Sequence, residues 1–347
     1  MVLDFTFLAL LGGILGFGFL VLVHEFGHFA ALKIIRTPVH AFSVGFGSPV
    51  WSGKFYGTEL RLGWIPLGGY VMPEDPAEVE KREEAGESIF PGYPPSHQFF
   101  VAFMGPLANL ILAFFLFAAL NFVWGEPHPV PVVESVIKGS PAFVAGLHPG
   151  DRIEKINGFQ IGSWKILIEK LQENGLNSGF VEIVRQERQI MLPFTPIREG
   201  NRWVIGIKPK MEASPPTGFV SAMETGFART IQETVSVFEA LGRMLSFSGA
   251  GNVSGPIGVL GYAVDAFKGG MMAFLTLLAI LSVNLAVFNL LPIPPLDGIR
   301  IFVAFWQALS GKPPKEKILL PIYQWGAMGL AVLFLLVTLK DLGNFLL

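Results

Sequence analysis

The chain has 347 residues, of which 51% are hydrophobic and only 15% are charged, whereas a typical soluble protein has about 25% charged residues. This composition indicates a membrane protein rather than a soluble globular one. The net charge of −2 gives no electrostatic support for nucleic-acid binding, and because the chain has no cysteine, it can form neither a disulfide nor a thiolate site.

Four apolar stretches are long enough to cross a bilayer about 30 Å thick, which takes about 20 residues of helix. They predict four transmembrane helices, at about 5–32, 98–124, 269–296 and 318–340. The first stretch lacks the basic start and the small-residue cleavage site of a signal peptide. We therefore expect it to be retained as a membrane helix.

The first predicted span contains the sequence His24-Glu25-Phe26-Gly27-His28. On a helix, residues i and i+4 share one face, so both imidazoles can bind one metal ion, with Glu25 near enough to act on a metal-bound water. Ionisable side chains in an otherwise uncharged span are energetically costly and mark functional sites. Two histidines and a carboxylate with an open fourth position suit Zn²⁺, so the motif predicts a catalytic zinc site.

The segment between the second and third spans, about 125–268, has the composition of a soluble domain and is too long for a loop. Short apolar runs at 130–136 and 180–184 predict strands, and residues 164–173 predict a helix. Apolar residues spaced by three and four predict another helix at 217–245. We expect it to lie on the membrane surface or against the preceding domain, where it would gate entry.

A third metal ligand is needed, and the candidate is Asp297. The prolines at 292, 294 and 295 predict a break in the third span just before it. Irregular backbone at membrane depth is tolerated where protein or a water-filled cavity covers it. An alternative is that Asp297 only caps a helix that starts at Gly298.

Lysines and arginines in the short loops predict the orientation in the membrane. They are concentrated between the first two spans and between the last two: Lys33, Arg36, Lys54, Arg61, Lys81 and Arg82, then Arg300, Lys312, Lys315 and Lys317. Both loops should therefore be cytoplasmic, with both termini and the 125–268 segment outside. This orientation puts His24, His28 and Asp297, together with Asn109 of the second span, in the cytoplasmic half of the bilayer.

These motifs together resemble the site-2 protease family of intramembrane zinc metalloproteases, and most closely its bacterial branch that cleaves membrane-bound anti-sigma factors. Beside His24–His28, the second span carries Gly105–Asn109, like the family's G-P-x-x-N. The third carries Asn284 and then Asn289–Gly298, like the family's N-x-x-P-x-P-x-L-D-G. One departure is Ile299, where the bacterial branch often has a second glycine.

The resemblance implies one Zn²⁺ per chain with three protein ligands, His24, His28 and Asp297. It also implies that Glu25 is the catalytic general base. Asn284 and Asn289 would lie near the substrate backbone, with hydrogen bonding between helices as the alternative for Asn284. Asn109 would order or pack the site.

A second region of resemblance is Pro66–Val71, which includes Gly69 and Tyr70. It is similar to the family's membrane-associated β-hairpin, which we expect at about 40–75. An exposed strand edge there could bind an unwound substrate by strand addition. An ordinary glycine-rich turn is the alternative.

A third region, Ser140–Gly158, resembles the PDZ domains of bacterial proteases. Such a domain could bind a peptide by strand addition or exclude substrates with bulky outer domains. The predicted fold is a polytopic α-helical membrane protein of about four transmembrane helices, with a membrane-associated β-hairpin and an inserted α+β PDZ domain. The expected parts are a first membrane part at 1–124, the PDZ domain at 129–211, an amphipathic helix and connector at 215–268, and a second membrane part at 269–347.

The sequence thus predicts a zinc-dependent intramembrane endopeptidase in a bacterial cytoplasmic membrane. Its partners would be single-span membrane proteins, such as anti-sigma factors or remnant signal peptides, and it would bind no nucleic acid. One alternative is a non-proteolytic membrane adaptor whose PDZ domain binds peptides and whose metal is structural. Another is a metal transporter, which would need several acidic or histidine groups along the membrane, whereas the sequence has one such cluster.

Overall fold

The computed structural model describes residues 2–73, 93–173, 178–199, 202–245, 255–312, 314 and 316–346. Several predicted features lie outside the described residues: the basic loop residues Lys81, Arg82 and Lys315, and residues 246–254 of the predicted helix and connector. The chain forms two compact units, of which one comprises Met1–Phe122 and Gly218–Leu347 and the other Val123–Thr217.

Long helices make up most of the first unit, and strands make up most of the second. In chain order the elements are α1 (Val2–Ile34), β1 (Ala41–Phe55), β2 (Thr58–Met72), α2 (Pro95–Trp124), β3 (Pro127–Val136), α3 (Pro141–Val144), β4 (Arg152–Ile156), β5 (Phe159–Gln160), α4 (Trp164–Glu173), β6 (Gly179–Arg185), β7 (Arg188–Phe194), β8 (Ile197–Glu199), β9 (Arg202–Val204), β10 (Ile207–Ala213), α5 (Phe219–Leu245), α6 (Pro256–Lys268), α7 (Met271–Asn289), α8 (Asp297–Ser310) and α9 (Glu316–Leu346). Within the described ranges, four helices are long and apolar enough to cross a membrane: α1, α2, α7 and α9. The prediction of a polytopic helical protein with an inserted α+β domain is confirmed.

The third span is shorter than predicted. Helix α7 ends at Asn289 rather than near residue 296. Pro292 and the two prolines after it lack the backbone N–H of a helix and clash with the preceding turn, so the chain leaves the helix before them. Residues 290–296 form an irregular turn that leads into α8.

Glycines let α1 approach its neighbours closely. A Cβ atom at Gly13 would lie 2.8 Å from the Cβ of Ala263 in α6, and a Cβ atom at Gly16 would lie 2.8 Å from Cδ2 of Leu278 in α7. Small residues at such points allow tight van der Waals packing between membrane helices. This packing fixes the helix that carries the histidine pair.

Strands β1 and β2 form an antiparallel pair with several register shifts. Residues 41–44 of β1 pair with residues 59–62 and also with residues 69–72, so they lie between these two segments of β2. In the described part of the chain, residues 69–72 have a strand partner on one side only, and β2 contacts α1. Gly69 and Tyr70 therefore lie in the edge segment of a sheet, and the alternative of an ordinary glycine-rich turn is wrong.

The second unit is built on one sheet with the strand order β10-β3-β4-β6-β7, and β5 pairs with β4. Its core consists of buried apolar side chains from the sheet, from α3, from α4 and from the connecting loops: Val133, Ala142, Leu147, Ile153, Ile156, Ile161, Leu167, Leu171, Val181, Ile183, Phe194 and Ile205. Asp151 is fully buried and accepts hydrogen bonds of 2.7 and 2.8 Å from the guanidinium of Arg185 and one of 2.8 Å from the backbone N–H of His148. This ion pair holds the loop before β4 against β6.

Helix α5 packs along the second half of α2. Two pairs of aromatic rings join the helices, each with its centroids 6.5 Å apart: Phe122 with Phe219 and Phe114 with Phe227. The first residues of α5 thus face the last residues of α2, so the two helices run antiparallel. Most apolar side chains of α5 remain exposed, among them Phe219 at 68% and Phe227 at 61%. The expectation that this helix lies on the membrane surface or against the inserted domain therefore stays a prediction.

Gly226 is the point of closest approach between these helices. A Cβ atom there would lie 2.7 Å from the backbone nitrogen and 2.8 Å from the Cβ of Ala118. We expect Gly226→Val to separate the helices and to cost about 1–3 kcal/mol, as overpacking does, which a lower thermal unfolding temperature in detergent would reveal. Gly242→Val is the matched control on the same helix, because a Cβ atom there meets nothing within 4 Å, and it should be neutral or stabilising. Equal unfolding temperatures for the two variants would contradict the packing described for α5.

Candidate metal centre

His24 and His28 lie one turn apart on α1 and point to the same place. Their Nε2 atoms are 3.2 Å apart, and Oδ2 of Asp297 lies 2.9 Å from Nε2 of His24 and 3.1 Å from Nε2 of His28. The three residues are buried, with 6–9% of their surface exposed. In the described part of the chain, they form the one group of three or more histidine, cysteine or acidic side chains that could hold a metal ion.

Asp297 reaches the histidines because of the way the turn after α7 folds. It is the first residue of α8, whose N-cap is Leu296 and has no side-chain capping bond. The interpretation of Asp297 as the cap of a helix starting at Gly298 is therefore wrong. A Cβ atom at Gly298 would collide with the backbone carbonyls of Leu290 and Leu291, so a glycine is needed for the turn to close this tightly.

The donor atoms fit a zinc ion. Nδ1 of His28 donates to the backbone carbonyl of Val101, with 2.8 Å between nitrogen and oxygen. In a neutral imidazole this leaves a lone pair on Nε2, and that lone pair faces a carboxylate oxygen, an arrangement that is repulsive unless a cation lies between them. Tetrahedral zinc, with ligands at about 2.0–2.1 Å, separates its ligand atoms by about 3.3 Å. The observed separations of 2.9–3.2 Å are close to this value.

Glu25 follows His24 on α1 and lies beside the edge segment of β2. A Cβ atom at Gly69 would lie 3.5 Å from Cγ of Glu25 and 2.5 Å from the backbone carbonyl oxygen of Ser43. The glycine therefore lets the strand lie against both its partner strand and the candidate base. Tyr70 is the next residue along this edge, and its hydroxyl accepts a hydrogen bond of 3.4 Å from the guanidinium of Arg61. Of the two predicted hairpin residues, the structure thus brings Gly69 next to Glu25.

The three predicted asparagines differ in their surroundings. Asn109 is fully buried, and its side-chain nitrogen lies 3.4 Å from Nδ1 of His24. Asn284 and Asn289 instead donate hydrogen bonds of 2.9 Å to the carbonyl oxygens four residues earlier in their own helix. The described hydrogen bond of Asn284 therefore lies within one helix, and the predicted substrate contacts of both residues stay predictions, as does the alternative of a bond between helices for Asn284.

Three further groups that shape the site were not predicted from the sequence. They are the backbone carbonyl of Val101, Gly105, where a Cβ atom would collide with Nε2 of His28, and Gly27, where it would collide with the carbonyl oxygen of Met104. The signal for the glycines was present, because each lies inside a motif within a membrane helix. A main-chain carbonyl leaves no such signal, since every residue has one.

Similarity to known proteins extends over nearly the whole chain. A protein of Rickettsia conorii named as a candidate zinc metalloprotease is 29% identical, with 97% of this chain and 99% of the relative aligned. The regulator of sigma E protease of Haemophilus influenzae is 26% identical over 97% of this chain and 99% of its own length. Among solved structures, the PDZ domain of an SdrC-like protein from Listeria monocytogenes is 21% identical and covers 24% of this chain and 88% of its own, with a TM-score of 0.21.

A family model also matches most of the chain. The model described as peptidase family M50 matches residues 12–336. This range contains both histidines, Glu25 and Asp297, and it spans all four apolar helices at least in part. The chain therefore belongs to peptidase family M50, the site-2 protease family of membrane zinc metalloproteases that its motifs resemble.

Proposed function

We propose that this protein is a zinc-dependent endopeptidase that hydrolyses peptide bonds within or next to the transmembrane segments of other membrane proteins. The observation that carries the proposal is the convergence of three ligand atoms at one buried point, with Glu25 adjacent to it on a membrane helix. The match to peptidase family M50 supports the same reaction.

Each residue of the site has a role in this proposal. His24, His28 and Asp297 would hold one Zn²⁺. Bound there, the ion would act as a Lewis acid and lower the pKa of a water molecule to about 7. Glu25 accepts the proton of the attacking water and returns it to the leaving amine nitrogen as the peptide C–N bond breaks. The products are a carboxylate and an amine.

The edge segment of β2 is the proposed substrate-binding surface. A helical substrate hides its carbonyls in internal hydrogen bonds, so it must unwind before it can be cut. An edge strand can bind the unwound segment through backbone hydrogen bonds, and the place of Gly69 beside Cγ of Glu25 would present such a segment to the base. Asn284 and Asn289 are proposed to contact the same segment through their side-chain oxygens.

The proposed substrates are single-span membrane proteins, including anti-sigma factors and remnant signal peptides. The name of the Haemophilus influenzae relative, regulator of sigma E protease, supports the anti-sigma class. The inserted domain, which resembles PDZ domains in sequence, would act on the outer part of a substrate, either by binding a peptide or by excluding bulky outer domains.

A membrane adaptor with a structural metal is the second candidate. A structural zinc site is usually closed by four protein ligands, often cysteines. The chain has no cysteine, and the described cluster offers three ligands. An adaptor would also have no use for Glu25. A metal transporter is disfavoured as well, because the described residues contain one candidate cluster rather than a series along the membrane.

Replacing Glu25 by glutamine separates these functions. We expect about one zinc per chain in both the wild type and Glu25→Gln, but cleavage of single-span substrates should fall by about 10²–10⁴-fold in the variant because the proton acceptor is lost. His24→Ala should lose both zinc and cleavage. Elemental analysis of the detergent-purified proteins measures their zinc content, and a gel assay measures their cleavage of the substrates. Equal cleavage by wild type and Glu25→Gln would rule out the proposed mechanism.

Substrate binding at the β2 edge can be tested by disulfide cross-linking, because the chain has no cysteine of its own. In a Glu25→Gln background, Tyr70→Cys should cross-link to a cysteine placed near the cleavage region of a substrate. Tyr56→Cys is the matched control, since Tyr56 is 87% exposed in the turn between β1 and β2. The proposal fails if the two positions cross-link equally well or if only the control does.

The proposed orientation puts both termini and the inserted domain outside the bacterial cytoplasmic membrane, with the site in the cytoplasmic half. Cysteine labelling in intact cells tests it. Lys165→Cys, where the native side chain is 85% exposed in the inserted domain, should react with an impermeant maleimide. Lys312→Cys, in the loop between the third and fourth spans, should react only after the cells are permeabilised. The reverse pattern would invert the orientation.

A further inference from the structure

Asn109 combines complete burial with an unpartnered oxygen. Its side-chain nitrogen lies 3.4 Å from Nδ1 of His24, while its Oδ1 has no hydrogen-bond partner among the described residues. A buried amide oxygen without a partner is costly. The oxygen and nitrogen of an amide occupy nearly equivalent positions, so the hydrogen-bond network decides which of them faces a neighbour.

Metal binding by His24 would decide which atom of the Asn109 amide faces the imidazole ring. If Nε2 of His24 binds a cation, the neutral ring must carry its proton on Nδ1. That N–H then faces Asn109 and needs an acceptor, which an amide nitrogen cannot be. With Oδ1 directed at His24 instead, the ring N–H gains an acceptor and the unpartnered oxygen gains a donor.

The other histidine has the same kind of partner on the same helix. Nδ1 of His28 donates to the carbonyl of Val101 over 2.8 Å. Val101 and Asn109 are eight residues apart on α2 and therefore lie on one face, two turns apart. Gly105 lies midway between them, where a Cβ atom would collide with His28 and come within 2.9 Å of Cε1 of His24. The helix thus lies directly against both rings.

Helix α7 holds this face of α2 in place. The hydroxyl of Ser282, which is fully buried, donates a hydrogen bond of 2.8 Å to the backbone carbonyl of Asn109. The contact fixes the main chain at the residue whose side chain must reach His24. Asn109 is therefore held by its backbone on one side and directed at the ring on the other.

We propose that α2 sets the tautomer and ring orientation of both histidines, and that Asn109 is the positioning residue for His24 through its Oδ1 atom. The inference rests on the proposed zinc site and adds the group that makes Nε2 of His24 available to the ion. Partners of this kind typically change metal affinity by about 10–100-fold.

Two substitutions of Asn109 by residues of similar volume are expected to have different effects on zinc affinity. Asn109→Leu fills the space but offers no acceptor, whereas Asn109→Asp keeps an acceptor oxygen and adds charge. In the full chain, purified in detergent with Glu25→Gln in every variant, competition with a chromophoric chelator measures the zinc dissociation constant. We expect Asn109→Leu to weaken zinc binding by about 10–100-fold and Asn109→Asp to bind as tightly as the parent or more tightly. The Co²⁺ absorption spectrum is a second readout and should change in Asn109→Leu alone.

Asn121→Leu is the matched control, because it makes the same change at another buried asparagine of α2, about 18 Å further along the helix. It should leave zinc affinity unchanged. A packing role for Asn109 predicts the reverse order, with Asn109→Leu tolerated and Asn109→Asp weakened, and that order would overturn the inference while leaving the zinc site intact. A parent protein that binds no zinc would overturn the proposed function and this inference together.

Discussion

The structure depends on placing two imidazoles and a carboxylate together among apolar helices. Ionisable groups at membrane depth are costly unless they are paired or bind an ion. His24 and Asp297 are separated by 273 positions in the chain, yet their ligand atoms lie 2.9 Å apart. Bringing them together requires α1, α2, α7 and the turn before α8 to pack closely at one level, and most of the local features of the fold serve that packing.

Glycines make this close packing possible at each contact around the site. A Cβ atom at Gly27 would collide with the backbone of α2, one at Gly105 with His28, and one at Gly298 with the carbonyls at the end of α7. These glycines belong to the H-E-F-G-H, G-P-x-x-N and L-D-G motifs, respectively. Each motif therefore combines a residue of the metal site with a glycine that makes room for the close packing of that residue. Substitution of such a glycine would move a metal-ligating side chain, although none of the three ligand residues is itself replaced.

Prediction from sequence was strongest where one helix carries the whole signal. The spacing of His24 and His28 on a single helix fixes their common face, so that pair followed from periodicity. Glu25 followed from its place in the same motif, beside His24, and its role as the base came from the resemblance. Asp297 was a candidate from the proline break and the predicted orientation, but the capping alternative stayed open until the family resemblance, because nothing local to Asp297 indicates which distant helix it will meet. The contact of α5 with α2 was not predicted, because the helices come closest at Gly226, and an amphipathic pattern of large apolar residues does not mark such a position. The carbonyl of Val101 was beyond prediction for the same reason, as its role comes from position and not from residue type.

The arrangement at Glu25 links unwinding of a substrate to its cleavage. Gly69 lies close to both the carbonyl of Ser43 and Cγ of Glu25, so the edge strand and the base occupy the same level of the protein. A segment that remained helical would satisfy its own backbone groups and gain nothing from the edge. An extended segment would gain backbone hydrogen bonds there, which offset part of the cost of unwinding. In the proposed reaction, the backbone hydrogen bonds to the β2 edge stabilise the extended substrate and also hold its peptide bond beside Glu25. One surface therefore both selects an unwound substrate and positions it for hydrolysis.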